Sequence, residues 1–184
     1  MALALPLSAQ TTDLEYYERG IVRYGQLDYD GALSDFAISI QLNPLYYKAY
    51  SWRGIVRFHF RDVEGAIADF SKAIELEPTD IPDRTNLCTA RGEQRDLEAV
   101  ISDCGKLVEI DATSDTGYYQ RAAAFFARRE FEAALADYTK AIALRPKYAP
   151  YYRLRAKVYR VLKDFDHAEA DEKHAMDLQK APGQ

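Results

Sequence analysis

The stretch GAIADFSKAIELEP, residues 65–78, decides the fold, because similar stretches occur at residues 31–44 (GALSDFAISIQLNP) and 133–146 (AALADYTKAIALRP). Ala32 and Ala66 are 34 positions apart, and Ala134 follows 68 positions later, which is twice that spacing. An aromatic residue four positions further on and a closing proline keep the same spacing in each copy. The chain is therefore built on a 34-residue repeat, and its helices are best assigned within that repeat.

Two weaker copies fall in the same register. They are LEAVISDCGKLVEIDA at 97–112 and FDHAEADEKHAMDL at 165–178. Five units of this period that begin at Asp13 reach position 182, which leaves only 1–12 and 183–184 outside the repeat. The predicted organisation is an N-terminal arm (1–12) and a single array (13–182), with units 13–46, 47–80, 81–114, 115–148 and 149–182.

Each unit is predicted to form two antiparallel helices. The apolar residues of the Ala-Ile-x-Asp-aromatic-x-x-Ala-Ile stretch recur at helical spacing on one face. The proline that follows ends the second helix, because proline disfavours helical geometry in the residue before it. A single pair of helices cannot bury its apolar face alone, so the units have to stack. The last helix is mostly polar, which is expected of a cap.

These features resemble the tetratricopeptide repeat of the bacterial type, a helix–turn–helix unit of this length. Its first aromatic appears as Tyr16, Tyr50, Tyr118 and Tyr152, and its small residue as Gly20, Gly54, Ala122 and Ala156. Unit 3 departs most from the family pattern, with Cys88 and Cys104 at two marker positions. The resemblance implies an all-α fold, a right-handed α-solenoid of five helix–turn–helix repeats that acts as a protein-interaction scaffold.

Composition excludes several classes of protein. The formal net charge of −5 and the pI of about 5.3 argue against a nucleic-acid binder, which needs clustered Lys and Arg. No apolar run approaches the length of about 20 residues that a membrane-spanning helix needs. Two cysteines cannot form a four-thiolate zinc site. The 14 tyrosines are numerous for a chain of 184 residues, and eight of them form adjacent pairs.

Two columns of charge follow the repeat. Arg19, Arg53, Arg121 and Arg155 precede the small residue of the first helix, and Asp35, Asp69, Asp103, Asp137 and Asp171 precede the aromatic position of the second. We expect the columns to meet as structural ion pairs, since the Arg fork suits a carboxylate; the other interpretation is an anion-binding ladder. Leu87 interrupts the Arg column in unit 3, where Arg91 is expected to substitute.

The two cysteines are expected to face each other within unit 3. Cys88 and Cys104 either form a disulfide or remain two buried free thiols. The start of the chain, MALALPLSAQTT, is either the remnant of a secretory signal, a cloning remnant or an ordinary arm. We expect an exported, periplasmic or secreted location, with the cytoplasm as the alternative, because the short apolar run that ends in Ser-Ala-Gln is similar to the tail of a secretory signal.

The resemblance also implies a binding surface, because peptides dock in this family on the concave face that the first helices line. The predicted groove residues are Tyr17, Ile21, Tyr24, Ser51, Ile55, Phe58, Tyr119, Ala123, Phe126, Arg153, Lys157 and Arg160. They predict a protein or peptide partner with aromatic or aliphatic anchors and an acidic segment. The other interpretation is that the aromatics cover neighbouring helices. The cationic residues that clamp a chaperone's terminal carboxylate in the family are missing at the corresponding positions, which include Ile21, Trp52 and Asn86.

No catalytic motif occurs, so we expect no enzyme activity, no cofactor and no metal. His167, Asp171 and His174 share one helical face, but a solvated cap helix accounts for them better than a metal site. Two functions compete: a peptide-binding adaptor, and a structural module that self-associates or serves as an accessory domain of an envelope assembly. A monomer or weak homodimer is expected.

Overall fold

The computed structural model describes residues 12–180. The predicted arm or signal remnant at 1–12 lies outside the described residues except for Thr12, as do residues 181 and 182 of the last predicted unit. Within the described range the regular structure is α-helical. The helices are α1 (Asp13–Gly25), α2 (Tyr29–Leu42), α3 (Tyr47–His59), α4 (Val63–Leu76), α5 (Ile81–Gln94), α6 (Leu97–Ile110), α7 (Asp115–Ala127), α8 (Phe131–Leu144), α9 (Ala149–Val161) and α10 (Phe165–Lys180).

Aspartates begin most of the second helices. Asp28, Asp62 and Asp96 each accept a hydrogen bond from the backbone N–H three residues on, at 3.0 to 3.1 Å. Such side chains satisfy donors that have no partner within the helix. Asp164 does the same for α10, whereas Glu130, at the start of α8, makes no such bond.

The turn inside each hairpin contains one residue in the left-handed region. These residues are Leu27, Arg61, Arg95, Arg129 and Lys163, with φ between 61° and 66°. Each follows the one before by a full repeat period, although glycine is the residue that adopts this conformation at least cost. The repeat therefore imposes the same backbone turn on five different local sequences.

The chain divides into two compact units, of which the first is Met1–Pro78. In its described part, α1 packs on α2, α2 on α3, and α3 on α4. Its core contains Ala32, Phe36 and Val56, and half-buried aromatic residues pack against them. Two helical hairpins in sequence order form this unit.

The second unit, Thr79–Gln184, contains three hairpins: α5 with α6, α7 with α8, and α9 with α10. Each helix packs on the next, and α5 also contacts α7. Its core is a series of small clusters, one around the two cysteines and another around Ala122 and Tyr138. The all-α class and the repeated helical hairpin are therefore confirmed.

Candidate protein-interaction surface

A small residue and an aromatic ring meet across the seam of each hairpin in the first unit. A Cβ atom added at Gly20 would lie 2.6 Å from the ring of Phe36, and one added at Gly54 would lie 2.7 Å from Phe70. Both distances are shorter than carbon atoms can approach, so the rings occupy the space that a larger side chain would need. The small residue of the repeat is thus required by close helix packing.

A disulfide takes the place of this contact in the α5–α6 hairpin. Cys88 and Cys104 are bonded, with their Cα atoms 5.0 Å apart and both side chains fully buried. Val100, Leu107 and Ala124 pack around the bond. The covalent link therefore joins the helices where the neighbouring hairpins use a ring against a small residue.

Four ion pairs join the first and second helices of their hairpins. Arg19 binds Asp35, Arg53 binds Asp69, Arg121 binds Asp137 and Arg155 binds Asp171, each through two nitrogen–oxygen contacts of 2.6 to 2.9 Å. The aspartates are buried, whereas the arginines reach solvent. These hydrogen bonds raise the pKa of the Arg121 and Arg155 guanidinium groups. The pairs join the helices of one hairpin, so they belong to the architecture.

A second column of arginines also contacts these aspartates, and only one of its members, Arg91, was predicted from the sequence. Arg23 and Arg57 lie one helical turn after the first column, and their Nη1 atoms contact the same aspartates, Asp35 and Asp69, at 3.0 and 2.8 Å. In the α5–α6 hairpin, where Leu87 replaces the first arginine, Arg91 contacts Asp103 at 3.3 Å, and the Lys106 ammonium group lies 3.7 Å from the same carboxylate. The recurrence of Arg23, Arg57 and Arg91 at the repeat period was the signal that could have revealed this column.

The first aromatic of the repeat packs under the arginine of the ion pair. The guanidinium carbons of Arg19 and Arg121 lie 4.7 and 5.7 Å from the ring centres of Tyr16 and Tyr118. Arg53 over Tyr50 and Arg155 over Tyr152 repeat this arrangement. Cation–π attraction and the ion pair thus orient the same arginine. Many of the tyrosines are therefore structural.

The predicted groove residues of the first unit are half-buried and mostly engaged. Tyr17, Ile21 and Tyr24 pack against the core, and Tyr17 also meets Tyr46 with ring centres 5.1 Å apart. Ser51 donates a hydrogen bond to the backbone carbonyl of its own helix at Tyr47. Ile55 and Phe58 are half-buried as well. In this unit the rings support neighbouring helices as well as lining a surface.

The groove residues of the second unit differ in their accessibility. Tyr119 stacks on Tyr151 at 5.4 Å, and Phe126 contacts Phe131 at 5.9 Å. Ala123, by contrast, lines a cavity of about 390 Å³. We call it the Gly92 cavity; its other walls include Gly92, Leu97, Val100, Gln120 and Ala127.

Two of the three basic residues predicted at the end of the array line a second cavity of about 300 Å³. This basic cavity is lined by Arg153, Lys157, Glu172 and Met176. Arg160 is neutralised by Glu172 through two hydrogen bonds of 2.9 and 2.7 Å, and Arg153 donates to Gln179. Lys157 is exposed and has no ion pair with any residue of 12–180. Lys157 is therefore a cation of this cavity that no acidic side chain of the described residues neutralises.

Sequence comparison identifies the repeat. Two tetratricopeptide repeat profiles match the chain, one at residues 17–81 and the other at 116–148. The chain belongs to the tetratricopeptide repeat family. No curated protein sequence gives a significant match to it.

Known tetratricopeptide structures share the fold at low sequence identity. A crystal structure of MamA is 19% identical, covers 88% of this chain and 94% of its own, and superposes with a TM-score of 0.84. The MamA 41-end fragment from Desulfovibrio magneticus RS-1 is 14% identical, with coverages of 94% and 97% and a TM-score of 0.87. YrrB, described as a TPR protein with an unusual peptide-binding site, is 15% identical, with coverages of 94% and 89% and a TM-score of 0.83. These similarities establish the fold, and the family is one of protein-interaction scaffolds.

The three candidate metal ligands of the last tetratricopeptide hairpin have separate partners. His167 contacts Asp164, Asp171 accepts from Arg155, and His174 packs against Tyr152. Within residues 12–180 no group of three or more His, Cys, Asp or Glu side chains is placed to hold a metal ion. In that same range no helix combines the length and the hydropathy needed to cross a membrane.

Proposed function

We propose that this tetratricopeptide protein is a non-catalytic adaptor that binds an extended or helical peptide on the first helices of its second unit. The partner segment carries acidic residues beside an apolar side chain. The observation that carries this proposal is the basic cavity, where the unpaired ammonium group of Lys157 lies on α9 beside Met176 of α10. YrrB, with its peptide-binding site, has the same fold.

The chemistry of the basic cavity suits such a segment. Met176 is 48% exposed, and its flexible thioether side chain adapts to different apolar groups. Lys157 and Arg153 offer positive charge next to it, although the chain as a whole carries −5. Charge complementarity of this kind attracts an acidic partner and selects against others. The same net charge disfavours nucleic acid, which we exclude from the proposed partners.

The proposed compartment is oxidising, in the periplasm or outside the cell. The buried Cys88–Cys104 disulfide supports this, because such bonds persist in oxidising compartments and are rare in the cytosol. Mass measurement of the protein purified from its own cell compartment, with and without reduction before alkylation, tests the proposal. Two alkylated thiols without reduction would contradict it.

The adaptor function is tested by selecting dodecapeptides from a random display library and measuring their affinity by fluorescence polarisation. We expect the selected peptides to be rich in Asp, Glu and apolar residues. Lys157→Glu should weaken their binding affinity by about tenfold or more. Lys173→Glu is the matched control, because it reverses an exposed charge on α10 outside the basic cavity. If Lys157→Glu and Tyr119→Ala both leave binding unchanged in folded protein, the proposed surface is wrong.

Self-association is the second candidate function, and the last hairpin favours it. Val161, Leu162 and Phe165 cluster around its turn, and Phe165 is 57% exposed. Exposed apolar clusters often mark protein contacts. Light scattering over a range of concentrations should show a dimer that Phe165→Glu dissociates. A concentration-independent monomer would leave the adaptor as the proposed function.

A further inference from the structure

We propose that the Gly92 cavity receives the aromatic ring of a partner peptide, with an acidic residue beside that ring. This inference rests on the proposed adaptor function and gives it a residue-level specificity. It follows from a comparison between equivalent positions of the repeat, three of which supply a ring of their own.

Gly92 is an exception at its position in the first helices. The equivalent residues are Tyr24 and Phe58 in the two preceding hairpins and Phe126 in the next one. Three of the other four hairpins therefore place an aromatic ring at the end of their first helix, whereas the fourth, with Arg160, places a charge. The α5–α6 hairpin alone has no side chain there.

The first unit shows where such a ring packs. The ring of Tyr24 lies between Tyr29 of α2 and Trp52 of α3, with centre-to-centre distances of 5.5 and 5.2 Å and edge-to-face geometry. Aromatic pairs at such distances are favourable beyond the area they bury. The ring thus fills the space between its own hairpin and the next.

The second unit has the same surroundings without the ring. Leu97 and Gln120 occupy the positions of Tyr29 and Trp52, each two repeat periods later in the chain. Both line the Gly92 cavity, whose volume of about 390 Å³ is in the range of small ligand sites. A Cβ atom at Gly92 would lie 2.7 Å from the Gln120 side-chain oxygen, so the two elements approach closely beside the cavity. The missing ring leaves an apolar space that a partner's ring fits.

The residues that line the cavity also indicate which partner residue would lie next to the bound ring. Leu97, Val100, Ala123 and Ala127 are apolar and suit the ring, while the Gln120 amide can hydrogen-bond a tyrosine hydroxyl. Arg95, in the exposed turn at the rim, makes no ion pair with any residue of 12–180. A partner carboxylate next to the bound ring would pair with the guanidinium group of Arg95 and neutralise its charge. The predicted partner segment is therefore a tyrosine or phenylalanine next to an aspartate or glutamate.

The test uses two probes of known chemistry: p-cresol, which is the side chain of tyrosine, and the capped pentapeptide Gly-Asp-Tyr-Asp-Gly. We expect both to shift the backbone amide signal of Gly92 and the side-chain amide signal of Gln120 in ¹H–¹⁵N spectra. The pentapeptide with alanine for tyrosine should bind about tenfold more weakly or not at all. Equal binding of the alanine peptide, or shifts that exclude Gly92 and Gln120, would overturn the proposal.

Gly92→Phe places the repeat's own ring in the cavity and should weaken p-cresol binding by about tenfold or more. The three nearest atoms to its Cβ belong to the flexible Gln120 side chain, which can move aside. Gly25→Phe is the matched control, because nothing lies within 4 Å of a Cβ atom at Gly25, on a helix of the first unit. Ala123→Leu, which narrows the cavity without changing Gly92, provides a second test if Gly92→Phe does not fold. Unchanged p-cresol binding in either folded variant would overturn the proposal.

Failure of this inference is distinguishable from failure of the adaptor function. If Lys157→Glu weakens the binding of library peptides but Gly92→Phe does not, the adaptor function is supported and the aromatic site at Gly92 is wrong. Binding of p-cresol at Gly92 requires no natural partner, so it supports the cavity even if the library yields no peptide.

Discussion

Arg155 donates two parallel hydrogen bonds to Asp171, with Nε–Oδ2 and Nη2–Oδ1 distances of 2.8 Å. A further nitrogen of the same guanidinium donates to the Thr139 hydroxyl of α8 at 3.0 Å. One arginine of α9 thus connects three helices of the second unit. The Asp171 side chain is only 8% exposed, so little solvent reaches its carboxylate and Arg155 is the cation that faces it.

Arg155→Leu should lower the free energy of unfolding by about 3 kcal/mol, because it leaves a buried carboxylate without its cation. The measurement is urea denaturation followed by circular dichroism. The double variant Arg155→Leu/Asp171→Asn removes both charges, so its free energy of unfolding should fall by less than that of the single variant. Equal losses would show that the ion pair itself does not account for the effect.

Removal of the disulfide should destabilise the second unit by about 3 kcal/mol, since the bond closes a short loop between residues separated by 16 positions. Cys88→Ala/Cys104→Ala tests this by thermal denaturation. Cys88→Ala/Cys104→Tyr copies the Ala122–Tyr138 pair of the next hairpin, which packs in a fully buried cluster. We expect this variant to recover part of the lost thermal stability and to be insensitive to reductant. The wild-type protein, by contrast, should become less stable when its disulfide is reduced.

Leu27→Gly should raise the free energy of unfolding by about 0.5 kcal/mol, because Leu27 has a positive φ that glycine adopts without steric cost. Its side chain is 71% exposed, so little packing is lost. Leu45→Gly is the control, because Leu45 is 74% exposed but does not have a positive φ. Chemical denaturation measures both changes, and stabilisation by both variants, or by neither, would contradict this explanation.

Ser39→Ala should stabilise the first unit by about 1 kcal/mol, since unsatisfied buried polar groups are costly. The buried Ser39 hydroxyl has no hydrogen-bond partner among the described residues. Ala73, Ala141 and Ala175 occupy the same position in three other second helices and are fully buried. Chemical denaturation measures the change; a loss of stability would indicate that the hydroxyl has a partner.

Tyr138→Phe should reduce the alkaline sensitivity of the second unit. Burial raises the pKa of Tyr138 above its ordinary value of 10, so above pH 10 the unfolded state releases a proton that the folded state retains. The stability contributed by the neutral phenol is complete below that pH and declines above it. Phe36 and Phe70 occupy the equivalent position, so the variant should fold normally at pH 7. Urea denaturation between pH 7 and 11 should show a shallower decline for Tyr138→Phe; an unchanged slope would contradict the prediction.

The repeat made much of the local structure predictable. The 34-residue period determined the helical hairpins, because small residues, aromatics and prolines recur where packing and helix termination need them. It also indicated that Arg155 would meet Asp171 and that Cys88 would lie opposite Cys104. Such pairs follow from register alone, since the two helices of one hairpin are antiparallel and close in sequence.

The accessibility of the candidate surface was decided by tertiary packing. The sequence placed Tyr17, Tyr24 and Tyr119 on one stripe, but rings from neighbouring helices cover much of each. The sequence shows only that Gly92 lacks the aromatic ring of its equivalents, and an absent side chain becomes a cavity only when the surrounding helices are in place. The sequence period thus determined the hairpins. Which groups remain free to bind was decided by side chains from adjacent helices, because the accessibility of a group depends on how side-chain volumes from distant parts of the chain pack around it.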